Sequence, residues 1–361
     1  MQIIKCNNDY PTHSLDKRTS EICSRHILVF GEELQKRIAE LVIGVVCVGG
    51  IGSLLVEQLM RLFPGKIVYS DKDRIDFTNL NRFVGAIPID ARLNARKIDV
   101  ASRNILSFNP NQQIYAIHGD FLKKVNQEQF TQCDFIFGAS DSNAVRLATN
   151  RLCLAHGIPY LDCGSGAIVL DGHLKAAGGQ VIKILPDSSF CLHCSDIIDV
   201  KSAMQEFLSK EERKRQEEQG YIRGAQIPAP QVYSLNMMVA SWAIWFFKRM
   251  VSGEEFDFDG ITIDAKDFQA CPWKERSKKM NNCPTCGIHG IVFRGDGVDL
   301  LCREEGEVEI DVHTFTKNQS SRYDFEKTNS RTDTEFPVPI YPLLILGKDE
   351  STPFDLGSWI R

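Results

Sequence analysis

The hydrophobic positions of this sequence alternate between strand-like runs and helix-like spacing through the first half of the chain. Residues 43–48 and 135–139 are continuous apolar runs of the kind found in parallel strands that are buried on both faces. The predicted strands are residues 43–48, 66–71, 113–118, 135–139 and 159–163, and the predicted helices are residues 34–41, 54–60, 95–106 and 144–156. This alternation predicts an α/β fold with a doubly wound, Rossmann-like and mostly parallel sheet. Residues 181–185 and 261–264 predict two later strands, for which an antiparallel direction is considered.

The bulk charge of the chain narrows the range of partners. Lys and Arg number 42 against 47 Asp and Glu, which gives a net charge of −5 over 361 residues. A mildly acidic protein is not expected to bind nucleic acid or an anionic membrane through its bulk charge. The most apolar run, residues 237–247, is too short to cross a bilayer, and residues 1–17 lack the apolar core of a secretory signal. We therefore expect a cytoplasmic globular protein with no nucleic-acid partner and no membrane partner.

The twelve cysteines need an explanation, because disulfides are rare in a reducing compartment. Four of them form two Cys-x-x-Cys pairs, Cys191 with Cys194 and Cys283 with Cys286. Two such pairs supply the four thiolates of a tetrahedral structural zinc site, in which the ion would join two distant segments. The alternatives to a four-cysteine zinc knuckle are two unrelated turns or a redox motif at either pair.

A glycine-rich turn follows the first predicted strand. Gly49, Gly50 and Gly52 stand where this strand ends and a helix begins. Glycines there let the backbone approach a phosphate closely, and the N-terminus of the helix supplies free N–H groups. Asp71 ends the second strand, where a carboxylate binds ribose hydroxyls. Taken alone, this pattern suggests an NAD-dependent enzyme, although Cys47 occupies the place of the first glycine in the strict dinucleotide spacing.

The motifs further along the chain favour a different enzyme class. In order, they are Asp71-Lys72-Asp73, Asn79-Leu80-Asn81-Arg82, Lys97 at a helix start, Asp141 after an apolar strand, Gly178-Gly179-Gln180, the first cysteine pair, Pro228-Ala229-Pro230 and the second cysteine pair. Together they resemble the ThiF/MoeB/HesA family, the adenylating fold of ubiquitin-activating and sulfur-carrier-activating enzymes. The resemblance runs from Arg25 to about Gly287. An NAD-linked oxidoreductase is disfavoured, because it has no use for Arg82, Lys97 and Asp141.

The resemblance implies a role for each of these residues. By it, Gly49, Gly50 and Gly52 would line an ATP site, Asp71 would hold the ribose, Asn79, Arg82 and Lys97 would contact the triphosphate, Asp141 would bind Mg²⁺, and Arg25 would reach the phosphates from a neighbouring subunit of a homodimer. The implied catalytic set is Arg25, Arg82, Lys97 and Asp141, and the implied cofactors are ATP, Mg²⁺ and Zn²⁺. Adenylation needs positively charged side chains and a metal ion at the phosphates, because a carboxylate that attacks a phosphate must overcome the repulsion between two anions.

The resemblance also suggests how the chain is divided. Residues 1–24 are predicted as an N-terminal arm and residues 25–290 as the ATP-binding adenylation domain. Within that domain, residues 195–230 form a crossover segment. Its mixed charges are either a solvated helix face or a guide for the C-terminal tail of a partner. Residues 291–361 form a small C-terminal segment, for which a partner-docking domain and a tail remain open.

The fate of the acyl-adenylate divides the family. Ubiquitin-activating members carry a cysteine after the zinc knuckle that forms a thioester, but residues 195–270 contain no cysteine. Cys271 and Cys302 are the remaining candidates, and we expect Cys271 to pack beside the zinc site instead. The simplest interpretation is direct transfer of the adenylate to an acceptor.

The sequence therefore predicts an ATP-dependent adenylyltransferase that acts on the C-terminal carboxylate of a small ubiquitin-like or sulfur-carrier protein. A conjugating enzyme or a sulfur donor would be a further partner. Two alternatives remain: a peptide adenylase of the microcin-maturing type, and an inactive scaffold subunit of an activating-enzyme heterodimer. The charged residues Arg25, Arg82, Lys97 and Asp141 argue against the scaffold, because an inactive copy need not keep phosphate ligands.

Overall fold

A nine-stranded sheet forms the centre of the computed structural model, which describes residues 15–195, 197–208, 231–275, 281–303 and 312–315. The strands are β1 (Val42–Val46), β2 (Lys66–Asp71), β3 (Gln113–His118), β4 (Phe135–Gly138), β5 (Tyr160–Leu170), β6 (His173–Ile184), β7 (Gly260–Asp264), β8 (Gln269–Trp273) and β9 (Val312–Phe315). Their order across the sheet is β8-β7-β6-β5-β4-β1-β2-β3-β9. The five central strands, β5, β4, β1, β2 and β3, are parallel to one another. The outer strands β6, β7 and β8 on one side, and β9 on the other, each run antiparallel to the neighbouring strand.

Helices connect the strands and cover both faces of the sheet. They are α1 (Lys17–Ile22), α2 (Ser24–Glu40), α3 (Gly50–Met60), α4 (Pro88–Arg92), α5 (Lys97–Phe108), α6 (Lys124–Glu128), α7 (Asn143–His156), α8 (Val200–Phe207) and α9 (Tyr233–Val251). Local chemistry explains the bounds of α7. The Ser142 hydroxyl accepts the N–H of Val145 at its start, and Gly157 ends it in a left-handed conformation with a φ of 69°. No helix in the described ranges is long and apolar enough to cross a membrane.

Two apolar clusters, one on each face of the sheet, form the core. The first packs α3, α5 and α9 against the sheet, and Phe135 and Phe137 lie 4.8 and 5.4 Å from the ring of Phe247 on α9. The second packs α7 and the four-cysteine segments against the opposite face, around Tyr160. Because both faces are covered, β1 is apolar along its whole length rather than alternating.

The register of the parallel strands brings the turns after β1, β2 and β4 to the same end of the sheet. Val46 at the end of β1 pairs with Ser70 of β2 and with Gly138 of β4. The chain leaves β1 between its two neighbours, so the order of connections reverses at this point. In open α/β sheets, ligands bind at such a reversal, outside the carboxyl ends of the strands.

The predicted α/β fold with its doubly wound sheet is confirmed. The bounds of β2 and β3 match the prediction, and the two later strands prove to be antiparallel. The prediction made β5 and β6 too short. Their outer halves form a hairpin of partly or fully exposed residues, which lacks the buried apolar run of a central strand.

The domain bounds stay a prediction. Helix α1 lies within the predicted N-terminal arm, and β9, from the predicted C-terminal segment, pairs with β3 of the main sheet. Residues 1–14 of the arm, residues 209–230 of the crossover segment, and residues 304–311 and 316–361 of the C-terminal segment lie outside the described residues.

Candidate functional site

The glycine turn leaves β1 and enters α3 through a tight backbone contact. Cys47 has a φ of 68°, a left-handed conformation that glycine adopts without strain. A Cβ on Gly52 would lie 2.0 Å from the carbonyl oxygen of Cys47, so only glycine fits there. A Cβ on Gly49, the N-cap of α3, meets nothing within 4 Å. The turn is thus closely packed behind Gly52 and open at Gly49, where a ligand has room to approach the N-terminus of the helix.

We expect Gly52→Ala to lower the free energy of unfolding by at least about 2 kcal/mol, because the methyl group forces the turn apart. Urea unfolding measures the loss. Gly49→Ala is the matched control and should cost about 1 kcal/mol or less, because its methyl group points into open space. Equal losses for the two variants would show that the turn is not tightly packed at Gly52.

Asp71 and Lys97 form a buried charge pair beside this turn. Asp71 is 6% exposed, and its Oδ1 accepts the backbone N–H of Asp73 at 2.8 Å. Lys97 Nζ lies 2.8 Å from Oδ2 of Asp73 and 4.0 Å from Oδ1 of Asp71. Burial raises the pKa of Asp71 to about 6, against the opposing charge of Lys97. Burial alone would lower the pKa of Lys97, but the charges of Asp71 and Asp73 raise it overall, so the ammonium stays charged at neutral pH.

Arg82 is held in a defined orientation near the same turn. Its Nε donates to Oε1 of Gln231 at 3.1 Å, and its Nη1 donates to the carbonyl oxygen of Thr78 and to Oδ1 of Asn81. Asn79 is buried in the 3₁₀ turn Phe77–Asn79, and its Oδ1 accepts the N–H of Asp76 at 3.2 Å. Asn79 therefore shapes the segment that carries Arg82.

The thiol of Cys47 lies where the charged groups converge. Burial raises its pKa to about 12, and the negative charges of Asp71 and Asp141 act on it together with the positive charge of Lys97. Ser140 contacts the same thiol. Asp141 follows β4 and is exposed. Asp71 and Asp141 thus lie at or just beyond the carboxyl ends of β2 and β4, on either side of β1, and Lys97 at the start of α5 pairs with Asp71. The roles of the three residues in catalysis stay predictions.

Arg25 makes no described contact with the other predicted site residues. It lies in the first turn of α2 with an exposed side chain, and the described residues offer its guanidinium no hydrogen bond or ion pair. Gly31, with a φ of 82°, bends the helix six residues later. The contact of Arg25 with the phosphates of a neighbouring subunit stays a prediction.

One buried polar residue at the site, Asn236, was not predicted from the sequence. Asn236 is fully buried in α9, where its Oδ1 accepts the hydroxyl of Ser165 at 2.6 Å. A Cβ on Gly50 would lie 2.4 Å from Nδ2 of Asn236, so the amide packs directly against the glycine turn. The signal that could have found Asn236 is its position, since it is a lone amide between Leu235 and Met237 in an apolar helix.

Four cysteines lie close together on the face of the sheet opposite to α3, α5 and α9. The Sγ atoms of Cys191, Cys194, Cys283 and Cys286 all lie within 4.8 Å of one another and are buried. The Sγ atoms of Cys191 and Cys194 are 4.0 Å apart, and the Cys191–Cys283 and Cys194–Cys286 separations are 3.8 and 3.5 Å. Four thiolates at about 2.3 Å from one zinc ion are about 3.8 Å apart, so the donor set fits a tetrahedral ion. The predicted grouping of the four cysteines is confirmed.

The two cysteines considered for a thioester differ in exposure. Cys271 is exposed on β8 and is not one of the four clustered cysteines, and its expected packing beside the cluster stays a prediction. Cys302 is partly buried, its Sγ accepts a hydrogen bond from Nε2 of Gln127 at 3.3 Å, and burial raises its pKa to about 11. A thiol with that pKa is almost entirely protonated at neutral pH and a poor nucleophile.

Comparison with known proteins identifies the family. A sequence profile of the ThiF family matches residues 23–329. The chain belongs to the ThiF family. Ubiquitin-like modifier-activating enzyme 5 of Drosophila willistoni is 29% identical over 189 residues, which are 49% of this chain and 44% of that protein. The sulfur carrier protein ThiS adenylyltransferase of Bacillus subtilis is 24% identical over 264 residues, which are 73% of this chain and 70% of that protein.

Solved structures of E. coli MccB share the fold. The complex with MccA-N7isoASN has a TM-score of 0.58 and 16% identity, and the match covers 77% of this ThiF-family chain and 76% of MccB. The same protein has been solved with ATP and matches with a TM-score of 0.55. It is described as a microcin C7 biosynthetic enzyme. The ThiF-family chain spans less than half the length of the Drosophila relative, so that similarity covers only part of the larger protein.

Proposed function

We propose that the protein is an ATP-dependent adenylyltransferase that activates the C-terminal carboxylate of a small ubiquitin-like or sulfur-carrier protein. The observation that carries the proposal is the convergence of Asp71, Lys97 and Asp141 around Cys47, next to a glycine turn that is open at Gly49. The names of the Bacillus subtilis and Drosophila willistoni relatives support this substrate class.

The proposed reaction joins two anions. A carboxylate oxygen of the substrate attacks the α-phosphorus of ATP, a phosphorus–oxygen bond forms, and the bond to the departing pyrophosphate breaks. Lys97 and Arg82 reduce the repulsion between the attacking carboxylate and the phosphates. The N–H groups at the start of α3 bind phosphate oxygens, and the Asp71 carboxylate binds the ribose hydroxyls.

The residues present fit both metals that the family implies. Asp141 would hold Mg²⁺, because its carboxylate is exposed and makes no hydrogen bond within the described part of the chain. When bound, Mg²⁺ neutralises charge on the phosphates. Cys191, Cys194, Cys283 and Cys286 would hold Zn²⁺ in a structural site, since four thiolates leave no open position for a substrate.

Two features support a homodimer. Met238, Trp242 and Trp245 lie at helical spacing on the solvent side of α9 and are between 36% and 42% exposed. Large apolar side chains that share one exposed face are typical of interfaces between subunits. Arg25 is exposed and has no partner in its own described chain, so in a dimer it is free to reach the phosphates of the other subunit.

The acyl-adenylate passes directly to an acceptor in this proposal, and a conjugating enzyme or a sulfur donor would be the next partner. Cys271 is the alternative, because it is an exposed thiol on an edge strand. A cytoplasmic setting is part of the proposal, because the described cysteines form no disulfide and four of them are grouped as metal ligands would be.

A peptide adenylase is the second candidate. The observation that favours it is the match to MccB, which covers about three quarters of both chains at a TM-score of 0.58. An inactive scaffold subunit is disfavoured, because the buried Lys97 and Asp71 pair has no structural need of two charged groups.

ATP–pyrophosphate exchange by the purified protein tests the proposal. The panel consists of small ubiquitin-like and sulfur-carrier proteins and of short peptides, each with a free or an amidated C-terminus. Exchange that needs one small protein and its free carboxylate supports carboxyl adenylation. Exchange with a short peptide alone favours the second candidate. If ATP binds but no partner gives exchange, or if ATP does not bind, the adenylation proposal is rejected for that panel. A thiol-sensitive enzyme adduct that is lost in Cys271→Ser would show a thioester.

We expect ATP binding to weaken at low pH because of Asp71. Its pKa of about 6 means that the carboxylate is ionised at pH 7.5 and mostly protonated at pH 5. If the ionised form binds the ribose, the affinity falls about tenfold between these two pH values. Calorimetric titration with ATP measures the change, and Asp71→Asn is the control that removes the dependence on this group. An unchanged affinity in the wild-type protein would exclude Asp71 as an ionised ribose ligand.

A further inference from the structure

Glu206 and Gln231, which lie on either side of residues 209–230 in the sequence, contact residues next to the proposed catalytic groups. Glu206 lies in the last turn of α8, and Gln231 lies just before α9. Neither residue belongs to the glycine turn or to the motifs on which the resemblance in sequence was based. Both make specific polar contacts across long stretches of sequence, Glu206 with Ser142 and Gln231 with Arg82.

Glu206 fixes the turn that carries Asp141. Its Oε2 accepts the hydroxyl of Ser142 and, at 3.3 Å, the backbone N–H of Ala144. The Ser142 hydroxyl in turn accepts the N–H of Val145 at 3.2 Å, and the Ser142 N–H donates to the Ser140 hydroxyl at 3.1 Å. A carboxylate at the N-terminus of α7 is also favoured by the helix dipole. The residues on both sides of Asp141 are therefore held by hydrogen bonds.

Arg303 holds α8 in place independently of this turn. Its Nε and Nη2 donate to the backbone carbonyl oxygen of Glu206 at 3.1 and 2.6 Å. Its Nη1 forms an ion pair with Oδ2 of Asp120 at 2.6 Å, just beyond β3. The backbone of Glu206 is thus fixed to the sheet from one side while its carboxylate reaches the Asp141 turn on the other.

Gln231 orients Arg82. Its Oε1 accepts the Nε–H of Arg82 at 3.1 Å, and Nη1 is occupied by Thr78 and Asn81. Among the described residues, Nη2 has no partner, so this edge of the guanidinium is free to meet an anion. A Cβ on Gly50 would lie 3.1 Å from Oε1 of Gln231, so the same side chain also rests against the glycine turn.

We propose that Glu206 and Gln231 are positioning residues of the adenylation site. Glu206 acts through Ser142 on the metal-binding carboxylate of Asp141, and Gln231 acts through Arg82 on the phosphates. This inference rests on the proposed function. Its physical basis is that a small displacement of a catalytic group costs a large factor in rate, so the groups that fix Asp141 and Arg82 matter although they do not touch ATP.

The Mg²⁺ dependence of nucleotide binding tests the role of Glu206. In Glu206→Ala, the Mg²⁺ concentration that gives half-maximal binding of ATP should rise about tenfold. Glu206→Gln should restore most of the loss, because its amide oxygen still accepts from Ser142. Lys201→Ala, at an exposed position of the same helix, is the matched control and should not change. An unchanged Mg²⁺ dependence in Glu206→Ala overturns this part of the inference.

A double-mutant cycle separates positioning from direct metal binding. If Glu206 acts through Ser142, then Ser142→Ala should reproduce the shift, and the double variant should show no further shift. If Glu206 binds Mg²⁺ itself, Ser142→Ala leaves the Mg²⁺ dependence unchanged, and the positioning role is rejected. The thermal midpoint of each variant shows whether the loss comes from unfolding instead.

Gln231 is tested by two replacements of similar size. Gln231→Leu removes the acceptor and should raise the Kd for Mg·ATP about tenfold. Gln231→Glu keeps the acceptor but pairs a negative charge with Arg82, so it should weaken binding at least as much. Neither change should have an effect in an Arg82→Ala background. Val232→Ala, at the neighbouring exposed position, is the control. Equal losses with and without Arg82 would overturn the inference.

Direct binding of Mg·ATP, measured by calorimetry, keeps this inference separate from the proposed function. The binding measurements need no protein partner. If the expected shifts in Mg²⁺ dependence and in Kd are not observed, the positioning roles are rejected even if exchange is found. Absence of exchange with every partner rejects the proposed reaction even if the shifts are found.

Discussion

Asp141→Ala is expected to abolish ATP–pyrophosphate exchange, with a loss of about 100-fold or more. Asp141 lies on the turn after β4, where its charge acts on the thiol of Cys47 together with the charges of Asp71 and Lys97. The proposed reaction places negative charge on the α-phosphate and on pyrophosphate at the same time. Without a carboxylate to hold Mg²⁺, that charge is neutralised only by the remaining phosphate contacts, above all Arg82 and Lys97.

The loss in Asp141→Ala should leave the fold intact. The side chain is exposed and accepts no hydrogen bond within the described residues, so its removal should change the free energy of unfolding by about 0.5 kcal/mol or less. Asp267→Ala, an exposed carboxylate in the turn between β7 and β8, is the control and should retain full exchange. Exchange by Asp141→Ala at the wild-type rate and with the wild-type Mg²⁺ dependence would remove Asp141 from the site.

Cys283→Ser should have the largest effect on stability. The four Sγ atoms lie within 4.8 Å of one another, and they join the Cys191–Cys194 turn to the distant Cys283–Cys286 turn. Removing one thiolate should release the zinc ion, because a serine hydroxyl is a poor replacement ligand. Zinc binding contributes folding free energy, so its loss should lower the thermal midpoint and expose the second apolar cluster, to which all four cysteines belong.

Metal analysis and thermal unfolding measure the two effects of Cys283→Ser. We expect about one zinc ion per chain in the wild-type protein and a loss of that ion in the variant. Cys271→Ser is the matched control, because Cys271 is exposed on β8 and lies outside the four-cysteine cluster. A variant that keeps its metal would show that Cys283 is not a ligand. A metal-free variant with the wild-type midpoint would show that the ion does not stabilise the fold.

The central strands could be predicted because strands that are buried on both faces consist almost entirely of apolar residues. β1 and β4 are apolar along their whole length, and β2 and β3 match the predicted bounds. The long hairpin of β5 and β6 could not be predicted in the same way. Gly164, Gly166, Gly178 and Gly179 have no side chains to pack, and the outer residues of the hairpin are exposed, so no hydrophobic pattern marks these residues as strands.

The charged residues of the candidate site were found from their order in the sequence, whereas the residues that orient them were not. Asp71, Lys97 and Asp141 stand at strand ends or helix starts, which are positions with recognisable patterns. Gln231 and Asn236 reach the glycine turn only because α9 packs across the sheet beside α3. A single glutamine or asparagine far along the chain carries no pattern that predicts such a contact.

The sequence by itself determined the sheet, the family, the four-cysteine grouping and the identity of the candidate charged groups. Each of these depends on local periodicity or on motif spacing, and both are visible in the amino-acid sequence itself. The tertiary structure decided which of the charged groups act on Cys47 and that Cys271 is exposed. It also decided that Glu206 and Gln231 contact Ser142 and Arg82. The physical reason is that these contacts join distant segments, and they form only when the helices pack on the sheet.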